Sequence, residues 1–286
     1  MKKISVIVII LLFVTYDLFS QCSDAGICSI RNHKESLQPD TLHNQIGITY
    51  LFGKSAKKEN VTYNSVRLNG TFYISEGTSL SFILPFNSQS GSLGNTSGIG
   101  DLIGVVSQRM YSEGTTSLDL QAGVKFATGN ANADTVLPQW YQSGLGSTDI
   151  LFGASVRIEL WDAAIGFQLA GTRNDNIQTR LKRGDDLYLR AGYTIEIENF
   201  KLHPSILFIK RLGESSIRDY SSAAEKFVTV SGSDQSQLNF AAEGQYKISP
   251  RYLLDAALAI PLLKRTINVD GLTRAITLSF GLNATI

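Results

Sequence analysis

Between Asp149 and Leu160 the chain changes character at every second residue. Ile150, Phe152, Ala154, Val156, Ile158 and Leu160 are apolar; Asp149, Gly153, Ser155, Arg157 and Glu159 between them are small, polar or charged. A period of two sends alternate side chains to opposite faces of a β-strand, here one oily and one wet. Similar stretches recur to the last residue, with almost no helical period between them. A soluble sheet can carry the same alternation. An all-β fold closed into a transmembrane antiparallel up-and-down barrel explains it best: oil meets lipid, charge meets the lumen, and no strand edge is left unpaired.

Further strands are expected at residues 45–53, 62–75, 78–87, 101–111, 117–127, 163–172, 186–197, 201–210, 237–248, 251–262 and 275–286. That makes about twelve, each of the length a tilted strand needs to cross a bilayer. The stretch 101–111 is ambiguous, because Leu102, Ile103, Val105 and Val106 put apolar groups on both faces. The connections alternate between short (76–77, 112–115, 161–162, 198–199, 249–250) and long (54–60, 88–100, 128–147, 173–185, 211–236, 263–274). Alternation predicts an even strand count, short turns and both chain ends in the periplasm, and long loops outside. In the longest loop, Phe227-Val228-Thr229-Val230 has the composition of an extra strand above the membrane. Pro85, Pro204 and Pro261 fall within strand patterns, where a closed barrel offers no free edge to excuse them.

The N-terminus adds a compartment. Lys2 and Lys3, an apolar run at 4–14 and the small Ser20 before Gln21 read as a cleaved signal peptide. The expected division is 1–20 signal, 21–43 periplasmic arm and 44–286 outer-membrane barrel. Cys22 and Cys28 are expected to close a disulfide loop, with lipid attachment at Cys22 as the alternative. His33 and His43 lie near them without a recognised metal spacing, so neither metal nor cofactor is expected. A net charge of +1 over 286 residues shows no basic excess for nucleic acid. The mean hydropathy of +0.01 speaks against several spanning helices but not against a barrel, half of whose strand residues are polar.

The inward faces hold Arg67, Asp119, Lys125, Asp149, Arg157, Glu159, Asp186, Arg190, Glu196, Glu243 and Asp255. Each would cost several kcal/mol in lipid, so they face water or one another. Two readings follow: a paired network that fills the barrel, or a polar passage. Asp101, Asp149 and Asp186 each follow a long loop, at one level of the barrel. They either attract cations at the mouth or accept hydrogen bonds from loop backbone N–H groups. The long loops also carry Lys54, Lys57, Lys58, Arg173, Arg180, Lys182, Arg183, Arg211, Arg218, Lys264 and Arg265. These either clamp lipid phosphates or form a solvated, mixed-charge surface. The expected partners are outer-membrane lipid, lipopolysaccharide and a small-molecule solute, with no nucleic acid. His33, His43 and His203 are the only histidines and suggest no catalytic trio, so no enzyme is expected.

Gly98-Ile99-Gly100-Asp101, Lys125-Phe126-Ala127-Thr128-Gly129 and Gly144-Leu145-Gly146-Ser147-Thr148-Asp149 follow one another in this order. In this the chain resembles outer-membrane proteins of the meta-pathway phenol-degradation type, which usually have Pro where Ala127 stands. The start of the mature chain resembles exported proteins of Bacteroidetes-type bacteria. The family resemblance implies a passive channel or transporter for small, hydrophobic or aromatic solutes, and carries over no catalytic residue. A non-transporting barrel that scaffolds partners through its loops is the alternative, and an outer-membrane hydrolase ranks third.

Overall fold

The computed structural model describes residues 43–55, 60–222, 224–270 and 274–286. The expected signal peptide, most of the arm, and Cys22 and Cys28 lie outside these residues.

In chain order the strands are β1 (Gln45–Ser55), β2 (Thr62–Ser75), β3 (Thr78–Gly91), β4 (Gly94–Ile99), β5 (Leu102–Glu113) and β6 (Thr116–Phe126). Next come β7 (Asp149–Ile158), β8 (Trp161–Leu169), β9 (Asp186–Tyr193), β10 (Ile195–Ile197) and β11 (Phe200–Arg211). The series ends with β12 (Ser216–Arg218), β13 (Phe227–Thr229), β14 (Ser236–Lys247), β15 (Tyr252–Leu263) and β16 (Arg274–Thr285). Each wall strand pairs antiparallel with its neighbours, and β1 meets β16 with Gln45 opposite Thr285. The result is a closed barrel of twelve strands, β9 and β10 counting as one.

The period-two pattern reappears as exposure. On β7, Ile150 and Phe152 are 45% and 47% exposed, while Leu151 between them is fully buried. The ambiguous strand resolves the same way: Ile103 and Val105 point inward and are buried, while Val106 faces out. Inward is therefore not uniformly polar, a point that matters for the lumen.

Several boundaries differ from expectation. The β7–β8 turn is Glu159-Leu160 rather than residues 161–162, with Glu159 at φ 54°. Trp161 thus opens β8, its ring tilted by 58° against that of Tyr193 with centroids 4.7 Å apart. Residues 88–100 are not an open loop: β3 runs on to Gly91 and β4 folds back on it. The strand expected over 186–197 is broken at Thr194. The strand expected over 163–172 ends at Leu169. The Phe227–Thr229 segment does form a strand, paired with β12 beyond the barrel wall.

Gaps in the ladder explain all three prolines. A proline lacks the N–H that a central strand must donate, so it fits only where a neighbour is interrupted. Pro85 sits between Ile83, the last residue of β3 paired with β5, and Phe86, the first paired with β4. Pro204 sits between Leu202, paired with β10, and Ser205, paired with β9, opposite the break at Thr194. Pro261 lies beyond Ala259, where the β15–β16 register ends.

Candidate functional site in the barrel lumen

At the long-loop end, the strands bring inward charges to one level. Lys125 is the last residue but one of β6, Asp149 opens β7, Asp186 opens β9, Arg211 closes β11, and Asp101 just precedes β5. Loops add Arg183 from the β8–β9 connection and Arg265 and Asp270 from the β15–β16 connection. The eight groups alternate in sign along one chain of contacts. Lys125 Nζ lies 3.9 Å from Asp101 and 2.8 Å from Asp149. Arg183 donates to Asp149 at 2.7 Å and lies 4.0 Å from Asp270. Arg211 donates to Asp270 at 3.0 Å and to both carboxylate oxygens of Asp186 at 3.2 and 3.0 Å. Arg265 caps the series, donating to Asp186 at 3.1 Å.

All eight side chains are buried. Charges tolerate that only when paired and hydrogen-bonded. Burial alone would push the Asp270 carboxyl up; Arg211, Arg183 and Arg265 outweigh it and hold the group well below the usual carboxylate range.

Asp101 and Asp149 also hold loop backbone. The Asp101 carboxylate accepts from the N–H groups of Gly129 (3.1 Å) and Leu145 (2.9 Å), near the two ends of the β6–β7 loop. Asp149 accepts from Gly171 N–H at 2.9 Å and from the Gln168 amide at 2.6 Å. Here the motif glycines acquire a reason. A Cβ on Gly129 or Gly144 would sit about 2.6 or 2.5 Å from the other's Cα, and near Asp101 Oδ1. Only bare backbone lets the loop ends close around that carboxylate. The same loop reaches across the mouth, burying Leu137, Tyr141 and Leu145 against Val61 and Tyr63.

One inward step deeper the wall turns apolar. Ile103, Val105, Leu151, Ala164, Tyr188, Leu207 and Ile209 form one buried cluster, with Ile83 against it. Tyr188 lies flat across Gly166 of the neighbouring strand, where an added Cβ would fall 1.7 Å from the ring. Replacing Gly166 with Ala must therefore displace Tyr188, at a cost of about 1–3 kcal/mol for overpacking. The pair Gly166→Ala and Tyr188→Ala should be less than additive in urea unfolding; full additivity would mean that the ring does not rest there.

Below the apolar band the wall is charged again. Arg109 pairs with Asp119 at 2.9 Å, Arg190 with Glu243 at 3.5 Å and Lys201 with Glu196 at 2.7 Å. His203, fully buried, lies 3.2 Å from Asp162 and 3.1 Å from the Thr194 hydroxyl. Asp255 is bonded by the Asn283 amide. At the short-turn end a cavity of about 340 Å³ opens, lined by Arg109, Arg157, Thr194 and Glu196 and by the turns carrying Gly114 and Glu159. Glu159 is thus a rim residue on an exposed turn and not a wall residue.

The sequence reading misplaced three cations. Arg183, Arg211 and Arg265, grouped with the loop surface, are buried in the ionic layer and unavailable to lipid phosphates. Arg180 pairs with Asp175 and Glu225, and Arg173 stacks 3.6 Å over Phe227, so these too hold loop to loop. Gln168, inward by the parity of β8, and Asp270, from a loop, complete the set of partners. Arg211 was legible: it continues the inward parity of Leu207 and Ile209. Nothing in an irregular loop marks Asp270 or Arg265.

No protein-family model matches the sequence, and no curated protein does. Among solved structures the fold is similar to an outer membrane channel from Pseudomonas putida F1, at 19% identity and TM-score 0.63, over 86% of this chain and 97% of that one. It is also similar to the NanC porin, at 11% identity and TM-score 0.51, over 85% of this chain and 100% of that one. At these identities the likeness is one of fold: an outer-membrane type of barrel whose solved examples here are channels and not enzymes.

Proposed function

We propose that the chain is an outer-membrane channel for passive uptake of small solutes, aromatic ones among them, with the long loops outside and both chain ends in the periplasm. One observation carries the reading: the layered lumen, in which an apolar band lies between two charged layers above a cavity of about 340 Å³. The residues of that band are buried against one another, and an apolar constriction has no reason to be there in a barrel that passes only water and salt. The band suits a flat, weakly polar solute, and the charged layers select at either end. The resemblance to the meta-pathway phenol-degradation type supports the same solute class. Contact with outer-leaflet phosphates falls to exposed cations such as Lys54 rather than to the buried loop arginines.

Planar-bilayer conductance and liposome uptake of phenol test the proposal. Ion steps together with phenol entry above that of empty liposomes are expected; a sealed barrel with neither would favour the scaffold reading. That alternative rests on the exposed β12–β13 hairpin, where Tyr220, Phe227 and Val228 face solvent. In the same bilayers, Asp149→Asn removes a carboxylate beside Lys125 and Arg183. The reversal potential in a salt gradient should move toward anion selectivity; an unchanged potential would take Asp149 out of the ion path.

A further inference from the structure

Four charged side chains line the cavity of about 340 Å³ at the short-turn end: Arg109 on β5, Arg157 on β7, Glu159 in the β7–β8 turn and Glu196 on β10. Glu196 is held by Lys201 at 2.7 Å, and Arg157 is engaged as well. Arg109 spends only its Nε, on Asp119. Its Nη1 and Nη2, the fork that takes both oxygens of a carboxylate, have no acceptor among the described residues. The Glu159 carboxylate likewise has no partner among them. Both groups can be reached from solvent: the Arg109 side chain is 29% exposed, and Glu159 sits on an exposed turn. The hydroxyls of Ser112, Thr115 and Thr116 share the lining.

The two open groups are set apart. Arg109 stands level with Asp119 and, through it, with Ser155 of β7. Glu159 follows Ser155 by four residues, about 13 Å along the wall at about 3.3 Å per residue. The side chains shorten that gap but do not close it, since the two form no ion pair. A simple anion would answer Arg109 and press a like charge on Glu159; a simple cation would do the reverse. An α-amino acid carries both charges, but side by side. A short peptide carries them at its two ends. We infer that this cavity binds short, uncapped peptides of about dipeptide size. The C-terminal carboxylate takes the Arg109 fork, the N-terminal ammonium meets Glu159, and the peptide group faces the hydroxyls. The room suffices, because small-molecule sites begin at about 300 Å³. The inference goes beyond the channel reading and needs no passage across the barrel.

Ion pairs open to water are worth little, so the test must see weak binding. Saturation-transfer NMR on the full chain in detergent does so, with glycylglycine as the probe. N-acetylglycylglycine removes the ammonium, glycylglycinamide removes the carboxylate, and glycine brings the two charges together. On wild type, acetylation should weaken binding about threefold and amidation about tenfold, the larger loss being that of a forked, charge-assisted pair. Glycine should bind more weakly than glycylglycine. The variants place the ends: the acetylation penalty should vanish in Glu159→Gln and the amidation penalty in Arg109→Gln. No binding of glycylglycine to wild type, equal affinity for the three dipeptides, glycine bound as tightly as glycylglycine, or penalties that persist in the variants would each overturn the site. If a variant fails to fold, the wild type decides on the capped peptides alone. Conductance enters none of these measurements, so a sealed barrel ends the channel proposal and leaves the site.

Discussion

Replacing Arg211 with Met should lower the barrel's stability by about 3–5 kcal/mol, the cost of removing one partner from a buried ion pair. Arg211 is fully buried and makes three of the bonds that neutralise Asp186 and Asp270. Without it Asp186 keeps Arg265, and Asp270 keeps Arg183 only at 4.0 Å. The uncompensated carboxylates, rather than the lost contacts, set the size of the effect. Adding Asp186→Asn to the variant restores neutrality while leaving an acceptor oxygen for Arg265, so the double variant should be more stable than Arg211→Met alone. Urea titration of the refolded protein measures all three. A loss within about 0.5 kcal/mol would mean that water reaches the layer and screens it as it screens surface pairs.

Much of this site could be read from residue order, and the reason is parity. Once Asp149, Leu151, Ser155 and Arg157 share a face, the wall half of the ionic layer follows: strand ends at one level carry Lys125, Asp149, Asp186 and, by the same count, Arg211. The apolar band was harder. Ile103 and Val105 gave β5 two oily faces, because a lumen lining of oil breaks the rule that places oil outside. Loop chemistry lay beyond reach. Asp270 and Arg265 meet the wall through irregular backbone, for which no period exists, and Arg265 binds Asp186 across 79 positions of sequence. The prolines show the converse. Each looked like a defect in its own strand, and the interruption that excuses it lies in a neighbour, at Thr194 in the case of Pro204.

Replacing Leu120 with Arg should destabilise the barrel in lipid by about 2–4 kcal/mol, and the same change at Phe126 by no more than about 1 kcal/mol. Both residues sit on the outward face of β6 and both are 44% exposed. What separates them is depth. Leu120 lies near the middle of the strand, opposite Ala154 of β7; Phe126 is the last residue, opposite Leu102 of β5. Arginine at mid-wall must leave water for hydrocarbon, whereas at the strand end its stem can reach the headgroups. A barrel whose outside faced water would tolerate both changes alike, since surface substitutions clear of other contacts stay within about 0.5 kcal/mol. The comparison therefore reads the solvent around the wall directly. Reversible unfolding from liposomes gives the two values, and equal values would remove the bilayer from the outside of this barrel, along with any passage across it.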